Sequence, residues 1–205
     1  RVLYGLGPVL VFKAQSRIYV EPEKEGYPVD EAIKRLTKVF GIASVSPVLK
    51  LETNKEALFW AAVDMVRSLI SKHPWKTFKV ETKRADKRFP MSSMEVSREL
   101  GGLILEQVPG LKVDVNTPDF IVYVEIREST YLYSEIIPGV KGLPVGSNGK
   151  ATLLLSGGID SPVAGWMVAK RGVRIEAVHF YSYPYTSERA KDKVIRLAQI
   201  LSQYT

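Results

Sequence analysis

The segment Ser-Gly-Gly-Ile-Asp-Ser, residues 156–161, has the composition best suited to chemistry in this sequence. An apolar run precedes it, and a helical pattern with Pro162 in its first turn follows it. Two adjacent glycines allow a tight turn whose backbone N–H groups approach a ligand closely. N–H groups at such a turn and at the start of a helix favour an anion, above all a phosphate. The segment therefore predicts a phosphate site, to which the hydroxyls of Ser156 and Ser161 add donors.

Asp160 is the unexpected member of this segment, because a carboxylate repels a phosphate. Two explanations remain open: the carboxylate binds Mg²⁺, or it caps the following helix by accepting its N–H groups. A tight strand-to-helix turn without any ligand is the simpler alternative. The pattern is neither GxxxxGK[ST] nor GxGxxG, and it contains no lysine. The order of strand, turn, helix and second strand favours a nucleotide site over the simpler alternative.

The elements that must position this turn follow a regular alternation from Lys150 onward. Apolar segments at residues 151–156 and 173–180 predict strands, and helical patterns at 161–172 and 186–204 follow them. Continuously apolar strands that alternate with helices predict the start of a doubly wound parallel sheet. Ligands of such sheets bind outside the carboxyl ends of the strands, where the glycine turn lies.

The preceding residues predict a mixed α/β fold class, with smaller α+β modules. Extended segments are predicted at residues 9–21, 42–52, 77–85, 111–116 and 119–130, with a further candidate at 131–137, and helices at 29–41, 54–72 and 92–107. Thr53 or Asn54 is a candidate cap for the second helix, and Ser92 or Ser93 for the third. The glycine- and proline-rich residues 138–149 have the composition of a linker. We predict domains at residues 1–52, 53–149 (with this linker) and 150–205.

A basic stretch, residues 75–93, is the second candidate site, because six cationic side chains there face two carboxylates. Cations contact phosphates, and interleaved aromatic rings can stack on unpaired bases. The alternative is a solvated strand face with core aromatics, which the alternation favours for Phe78 and Val80. We predict RNA contact for Lys83, Arg84, Lys87, Arg88 and Phe89.

The overall composition narrows the class of protein only a little. The formal net charge of +7 divides into +4 for residues 1–150 and +3 for the remainder, which suits a polyanionic partner without demanding one. No apolar run approaches the ~20 residues that span a bilayer, and no signal peptide pattern opens the chain. We expect a cytoplasmic protein without membrane contact. The absence of cysteine excludes a disulfide or a thiol nucleophile in this chain.

The segment SGGIDS resembles the PP-loop, SGGxDS, of the ATP pyrophosphatases, which cleave ATP between the α and β phosphates. The wider segments at residues 89–96, 142–146, 153–180 and 186–199 together resemble the tRNA 4-thiouridine synthetases, or tRNA sulfurtransferases. This resemblance covers nearly the whole chain. It implies a ferredoxin-like domain, an RNA-binding THUMP domain and a PP-loop domain.

The resemblance also implies site residues, with Asp160 as the essential loop aspartate. The implied ATP contacts are Leu154, Leu155, Ser156, Gly157, Gly158, Asp160, Ser161, His179 and Phe180. The ordinary alternatives are a plain strand-end residue for His179 and a core residue for Phe180.

The implied reaction adenylates O4 of the uridine at position 8 of tRNA and replaces this oxygen with sulfur from a protein persulfide. The implied cofactors are ATP and Mg²⁺, and the implied partners are tRNA, at its acceptor end and elbow, and a cysteine desulfurase. A homodimer is possible, and the family is also linked to sulfur transfer for the thiazole of thiamine. The sulfur-handling cysteine, the family's first strand and the remainder of its PP-loop domain are absent, so we expect these residues alone to be inactive in thiolation.

Two rival functions remain. The first is an RNA-binding module whose nucleotide loop is not catalytic. The second is a PP-loop enzyme acting on a small molecule, such as an amidotransferase synthetase, although the basic stretch argues against it.

Overall fold

A computed structural model describes residues 2–14, 17–182 and 184–204, and it divides the chain into two compact units. The first unit comprises residues 1–45 and 137–205, and the second comprises residues 46–136. The strands are β1 (Val9–Ala14), β2 (Arg17–Pro22), β3 (Ser44–Val45), β4 (Leu49–Leu51), β5 (Thr77–Arg84), β6 (Lys112–Val113), β7 (Phe120–Ile126), β8 (Thr130–Tyr133), β9 (Ile137–Pro138), β10 (Lys150–Leu154) and β11 (Arg174–Val178). The helices are α1 (Val29–Leu36), α2 (Lys55–Lys72), α3 (Ser93–Gln107), α4 (Asp160–Ala169) and α5 (Glu188–Ser202). The predicted α/β fold class is confirmed.

The second unit is a mixed sheet with the strand order β4-β8-β7-β5-β6, whose core also contains α2 and α3. Strand β5 pairs in parallel with β7 and β6, and β8 pairs antiparallel with β7 and β4. Helix α2 begins after Asn54, whose Oδ1 accepts a hydrogen bond from the N–H of Ala57 at 3.2 Å. Helix α3 begins with a capping box between Ser92 and Glu95. The caps are therefore Asn54 and not Thr53, and Ser92 and not Ser93. Each cap satisfies an N–H group that lacks a helical partner.

The core of the second unit follows from the spacing of apolar residues in these elements. On α2 the buried side chains recur every three or four residues, which places them on one helical face: Leu58, Phe59, Ala62, Val63 and Val66. Fully burying one such aliphatic side chain contributes roughly 1.5–3 kcal/mol relative to leaving it exposed. The strand residues Phe78, Val122 and Val124 are completely buried in the same core.

The first unit opens with a β-hairpin, where the sequence predicted one strand over residues 9–21. Strands β1 and β2 pair antiparallel, from Val9 opposite Pro22 to Ala14 opposite Arg17. Gln15 and Ser16 lie outside the described residues. The prediction of one strand is wrong, and residues 9–21 contain no glycine, proline or asparagine that would have indicated two strands.

The strands predicted at residues 111–116 and 131–137 also differ from the structure. The first contracts to β6, and the second is divided between the end of β8 and the start of β9. Two-residue pairings such as those of β6 with β5 and β9 with β3 depend on the neighbouring strand more than on local propensity.

The remainder of the first unit contains the parallel pair β10 and β11, connected through α4 and followed by α5. Helix α4 packs closely on β10, because a Cβ added at Gly165 would lie only 2.5 Å from Cδ2 of Leu153. The rings of Phe40, Trp166 and Tyr204 meet in one aromatic cluster, with centroid separations of 5.5–5.9 Å. These contacts fix the helices that flank the two strands.

The predicted linker is bonded to the end of α4. The N–H of Leu143 donates to the carbonyl of Lys170, and the N–H groups of Gly146 and Asn148 donate to the carbonyl of Gly172. Residues 142–149 thus lead the chain into β10 along a defined path. Among the described residues, no helix has both the length and the apolarity that crossing a membrane requires.

Candidate nucleotide site and candidate RNA surface

The turn between β10 and α4 is cross-linked by its own serines. The N–H of Ser156 donates to Oγ of Ser161 at 2.9 Å, and the two hydroxyl oxygens lie 3.0 Å apart. The N–H of Gly158 donates to Oγ of Ser156 at 3.3 Å. The two hydroxyls therefore define the shape of the turn, and their donation to a phosphate stays a prediction.

Several backbone N–H groups of the turn remain open. Those of Gly157, Ile159 and Asp160 have no acceptor within the part of the chain that the structure describes. The first N–H groups of a helix lack helical partners, and they carry the positive end of the helix dipole. Pro162, in the same first turn, has no N–H group to satisfy. The open groups are suited to binding an anion.

The two glycines are required neither by backbone conformation nor by packing. A Cβ at Gly157 would lie 3.8 Å from Cδ of Lys193 and from Cγ2 of Val194, which is ordinary van der Waals contact. A Cβ at Gly158 would lie 3.4 Å from Oγ of Ser156. Neither glycine has the left-handed φ that L side chains avoid. A left-handed conformation therefore does not explain these glycines, and close approach of a ligand stays the predicted reason for them.

Asp160 is the first residue of α4, and it is exposed. The N-cap position belongs to Ile159, and no side chain caps this helix. Within the described ranges, no hydrogen bond or ion pair engages the carboxylate of Asp160. The capping explanation is therefore wrong, and the carboxylate is available to a cation. Because the described residues contain no cluster of three metal-binding side chains, a cation at Asp160 needs further oxygen ligands, such as phosphates.

His179 connects the ends of the two parallel strands. Its Nδ1 lies 2.9 Å from the carbonyl oxygen of Leu155, and since that oxygen only accepts, Nδ1 must donate. Nε2 is buried without a partner among the described residues. An unsatisfied buried polar atom costs about 1–3 kcal/mol, so a ligand donor that reaches Nε2 is favoured. Nε2 is thus available to a ligand donor, and the nucleotide role of His179 stays a prediction.

Two apolar side chains beside His179 face solvent. Leu154 is 61% exposed and Phe180 is 77% exposed, whereas Leu155 is buried. The described residues do not enclose Phe180, and its contact with the nucleotide stays a prediction. Parallel pairing of Leu154 with Val178 brings these residues to the same edge of the sheet as the glycine turn. An exposed ring at that edge offers a face on which a purine can stack.

The four predicted RNA-contacting cations differ in their surroundings. Lys83 and Lys87 are exposed, and neither has a partner among the residues described. Arg84 is partly buried, and its Nη1 donates to the carbonyls of Phe89 at 3.1 Å and Met91 at 3.0 Å. Arg84 thus stabilises the loop after β5, while the two lysines are available to a polyanion.

Arg88 is exposed but paired with Asp86 in a bidentate geometry. Its Nη2 lies 2.8 Å from Oδ2 of Asp86, and its Nε lies 3.0 Å from Oδ1. Hydrogen bonds from the side chain and then the backbone of Arg88 lower the pKa of Asp86 to about 2. The Asp86 carboxylate neutralises the charge of Arg88. Arg88 is therefore a weaker candidate for binding a phosphate than Lys83 and Lys87.

Phe89 is 5% exposed and belongs to the core of the second unit, together with Met91. The predicted contact between its ring and RNA does not fit this placement, because the ring is enclosed by protein. Phe78 is completely buried, as the strand alternation predicted, and Val80 packs partly buried against the same core. The aromatic residues interleaved with the basic stretch are thus mainly structural.

Sequence reasoning missed the residues of α5 that lie against the glycine turn. Lys193 and Val194 are its neighbours at Gly157, but they lie far along the chain, in a helix that has an ordinary amphipathic pattern. No local signal in the sequence connects them with the turn.

A parallel β-α-β unit with an SGGxDS turn at its carboxyl edge places the protein in the PP-loop class. Three family models match successive parts of the chain: the ThiI ferredoxin-like domain at residues 1–46, the THUMP domain at 52–135, and the thiamine biosynthesis protein (ThiI) at 146–205. The domain boundaries predicted at residues 53 and 150 stay predictions.

Relatives and solved structures agree with these matches. A probable tRNA sulfurtransferase of Acetivibrio thermocellus is 65% identical over 204 residues, which are 100% of this chain and 52% of that protein. A solved structure of a 4-thiouridine synthetase–RNA complex with bound ATP is 40% identical with a TM-score of 0.87, over 95% of this chain and 50% of that one. A Pyrococcus horikoshii crystal structure is 29% identical with a TM-score of 0.85, over 97% of this chain and 65% of that one.

The chain belongs to the tRNA sulfurtransferase, or 4-thiouridine synthetase, family. It spans about half the length of the curated relatives it matches.

Proposed function

We propose that the full-length protein is an ATP-dependent tRNA sulfurtransferase that converts the uridine at position 8 of tRNA to 4-thiouridine. The main observation that supports this proposal is the turn at residues 155–160. Open N–H groups, glycines that packing does not require and an exposed carboxylate lie together there. The similarity of the chain to the 4-thiouridine synthetase solved with RNA and ATP supports ATP as the nucleotide and tRNA as the substrate.

ATP supplies an AMP group that makes O4 of the uridine a leaving group. O4 attacks the α-phosphorus and pyrophosphate leaves; the outer sulfur of the persulfide then attacks C4, and O4 leaves with AMP. A thiol of the sulfur-donor system next attacks the carrier sulfur, which breaks the S–S bond, forms a disulfide and releases 4-thiouridine. The N–H groups of Gly157, Ile159 and Asp160 stabilise the negative charge that develops on the pyrophosphate. This stabilisation is preorganised, because the serine cross-links already hold the turn in shape.

The nucleoside end of the site is assigned to the neighbouring strand. Nε2 of His179 accepts a hydrogen bond from the nucleotide, and the exposed ring of Phe180 stacks on its base. The backbone at Leu154 and Leu155 borders the same position. Asp160 would hold Mg²⁺ together with phosphate oxygens, since a single carboxylate cannot complete the coordination that this cation prefers.

The second unit binds the tRNA. Lys83 and Lys87 are exposed cations without a carboxylate partner in the described residues, and they are suited to the phosphates of the acceptor end and elbow. Sulfur arrives from a cysteine desulfurase as a persulfide. Sulfur transfer toward the thiazole of thiamine is a second role for the same persulfide. Homodimerisation and a cytoplasmic location stay predictions.

The proposal is tested with full-length protein, tRNA, ATP, Mg²⁺, a persulfide donor and a thiol reductant, with 4-thiouridine and pyrophosphate measured together. We expect both products from the wild type and neither from Asp160→Ala, whose tRNA affinity stays within about twofold because phosphate contacts in the other unit are unchanged. Thiolation that persists in Asp160→Ala, or without ATP, contradicts the proposal. Binding of RNA without ATP favours the non-catalytic RNA-binding module, and binding of ATP without RNA favours a small-molecule pyrophosphatase.

A further inference from the structure

We infer that Lys193 supplies the cation for the β and γ phosphates of ATP, a role that a lysine inside the turn fills in GxxxxGK[ST] loops. This inference rests on the proposed function. The glycine turn contains no lysine, and its one ionisable side chain, Asp160, is negative. A site for a polyphosphate needs positive charge beyond that of the helix dipole, whose effect at an exposed terminus is typically about 0.3–1 kcal/mol.

The position of Lys193 places its side chain against the turn. Its Cδ lies 3.8 Å from the position that a Cβ of Gly157 would take, and Nζ is two bonds farther along the same stem. Val194, which is 5% exposed, contacts the same point and fixes this part of α5 against the turn. The lysine stem is therefore held at the turn, while the residue as a whole is exposed and its ammonium can move toward a ligand.

The charge of Lys193 is uncommitted. No ion pair or hydrogen bond engages it within the described ranges. The nearby Lys191 differs, because its Nζ lies 3.5 Å from Oε2 of Glu188 and 5.2 Å from the ring centroid of Tyr181. The two lysines of α5 thus form a natural comparison between a free cation and one already paired within its own helix.

In the proposed reaction Lys193 stabilises the leaving group, which is pyrophosphate. When the bond between the α and β phosphates breaks, negative charge accumulates on pyrophosphate, and a cation held beside the turn stabilises that charge. Lys193 transfers no proton in this step. AMP has neither of the leaving phosphates, so the contribution of Lys193 is confined to ATP and pyrophosphate.

The test compares nucleotide affinities of full-length wild type, Lys193→Gln, Lys193→Arg and the control Lys191→Gln by calorimetry with ATP, pyrophosphate and AMP. We expect Lys193→Gln to weaken ATP and pyrophosphate about tenfold to a hundredfold, as for loss of a charge-assisted hydrogen bond. AMP affinity should stay within about twofold, which also shows that the site is folded. Lys193→Arg should retain most ATP affinity, and Lys191→Gln should bind like the wild type.

Each contrary result has a distinct meaning. Unchanged ATP affinity in Lys193→Gln overturns the inference and leaves the proposed function intact. An equal loss for ATP and AMP also overturns it, because the lysine then acts on the site as a whole. Absence of ATP and pyrophosphate binding in the wild type overturns the proposed function and this inference together.

Discussion

Oγ of Ser161, in the first turn of α4, accepts a hydrogen bond from the N–H of Ser156, just beyond the end of β10, at 2.9 Å. This hydrogen bond connects the start of α4 to the end of β10 and closes the turn between them. The hydroxyl of Ser156 lies 3.0 Å from the same atom and accepts from the N–H of Gly158. The shape of the phosphate turn thus depends on two side chains five residues apart.

Ser161→Ala should lower ATP affinity about tenfold, because it removes the acceptor that organises the turn, and a typical hydrogen bond contributes about 0.5–1.5 kcal/mol. Titration of the full-length protein with ATP measures the effect. Ser71→Ala is a matched control, since its hydroxyl also makes a local hydrogen bond, to the carbonyl of Ser68 in α2. Wild-type ATP affinity in Ser161→Ala would show that the turn keeps its shape without this bond.

Gly157→Ala should lose ATP binding while keeping the wild-type free energy of unfolding. The added Cβ meets protein atoms only at 3.8 Å, so the folded state tolerates it, but the methyl group occupies the path of an approaching phosphate. Calorimetry with ATP and urea denaturation measure the two properties separately. Gly157→Val should lose ATP binding as well.

Gly165→Ala is the control with the opposite expectation. Its Cβ would lie 2.5 Å from Cδ2 of Leu153, and overpacking of this kind costs about 1–3 kcal/mol of stability. If Gly157→Ala loses stability as Gly165→Ala does, then Gly157 is a packing glycine and does not mark a ligand site.

The sequence predicted the elements around the turn well, because each depends on local pattern. Helix α3, for example, begins at the Ser92 and Glu95 capping box that its residues specify. The roles of Arg84 and Phe89 were not predictable from the sequence. An arginine or a phenylalanine in a basic stretch gives the same sequence pattern whether its side chain contacts RNA or packs against protein. The fold decided between them by turning Phe89 into the core and Arg84 toward two carbonyls.

Asp86 should titrate far below ordinary aspartates, with a pKa of about 2. A carboxyl whose pKa is lowered on folding stabilises the folded state at pH values above its pKa in the unfolded state. This stabilisation is lost as the pH falls through its pKa in the folded state. The ion pair with Arg88 should therefore persist until the pH approaches 2. Side-chain carboxyl NMR shifts follow this titration directly.

In Arg88→Ala the pKa of Asp86 should rise from about 2 part of the way toward 3.8, because the side-chain hydrogen bond, the largest cause of the shift, is lost while the backbone N–H of residue 88 still donates. An Asp86 pKa that stays near 2 in this variant would show that other groups hold the carboxylate ionised.

The final prediction separates the two free lysines from the two structural arginines at the candidate RNA surface. Lys83→Ala with Lys87→Ala should weaken tRNA binding and lower the slope of log K against log salt by roughly 0.7–0.9 for each phosphate that the variant no longer neutralises. Stability should be unchanged, because neither side chain has a partner among the described residues. Arg84→Ala should instead destabilise the second unit, since it removes the donor to the carbonyls of Phe89 and Met91.

Affinity over a salt series, for intact tRNA and for tRNA trimmed at its single-stranded 3′ end, decides whether this surface holds the acceptor end. We expect trimming to weaken wild-type binding, because unpaired nucleotides expose bases and phosphates that a duplex does not. The double lysine variant should be weakened less by trimming than the wild type, since it already binds the acceptor end less tightly. Equal salt slopes for both proteins, with no effect of trimming, would mean that Lys83 and Lys87 belong to a solvated face and that tRNA binds elsewhere.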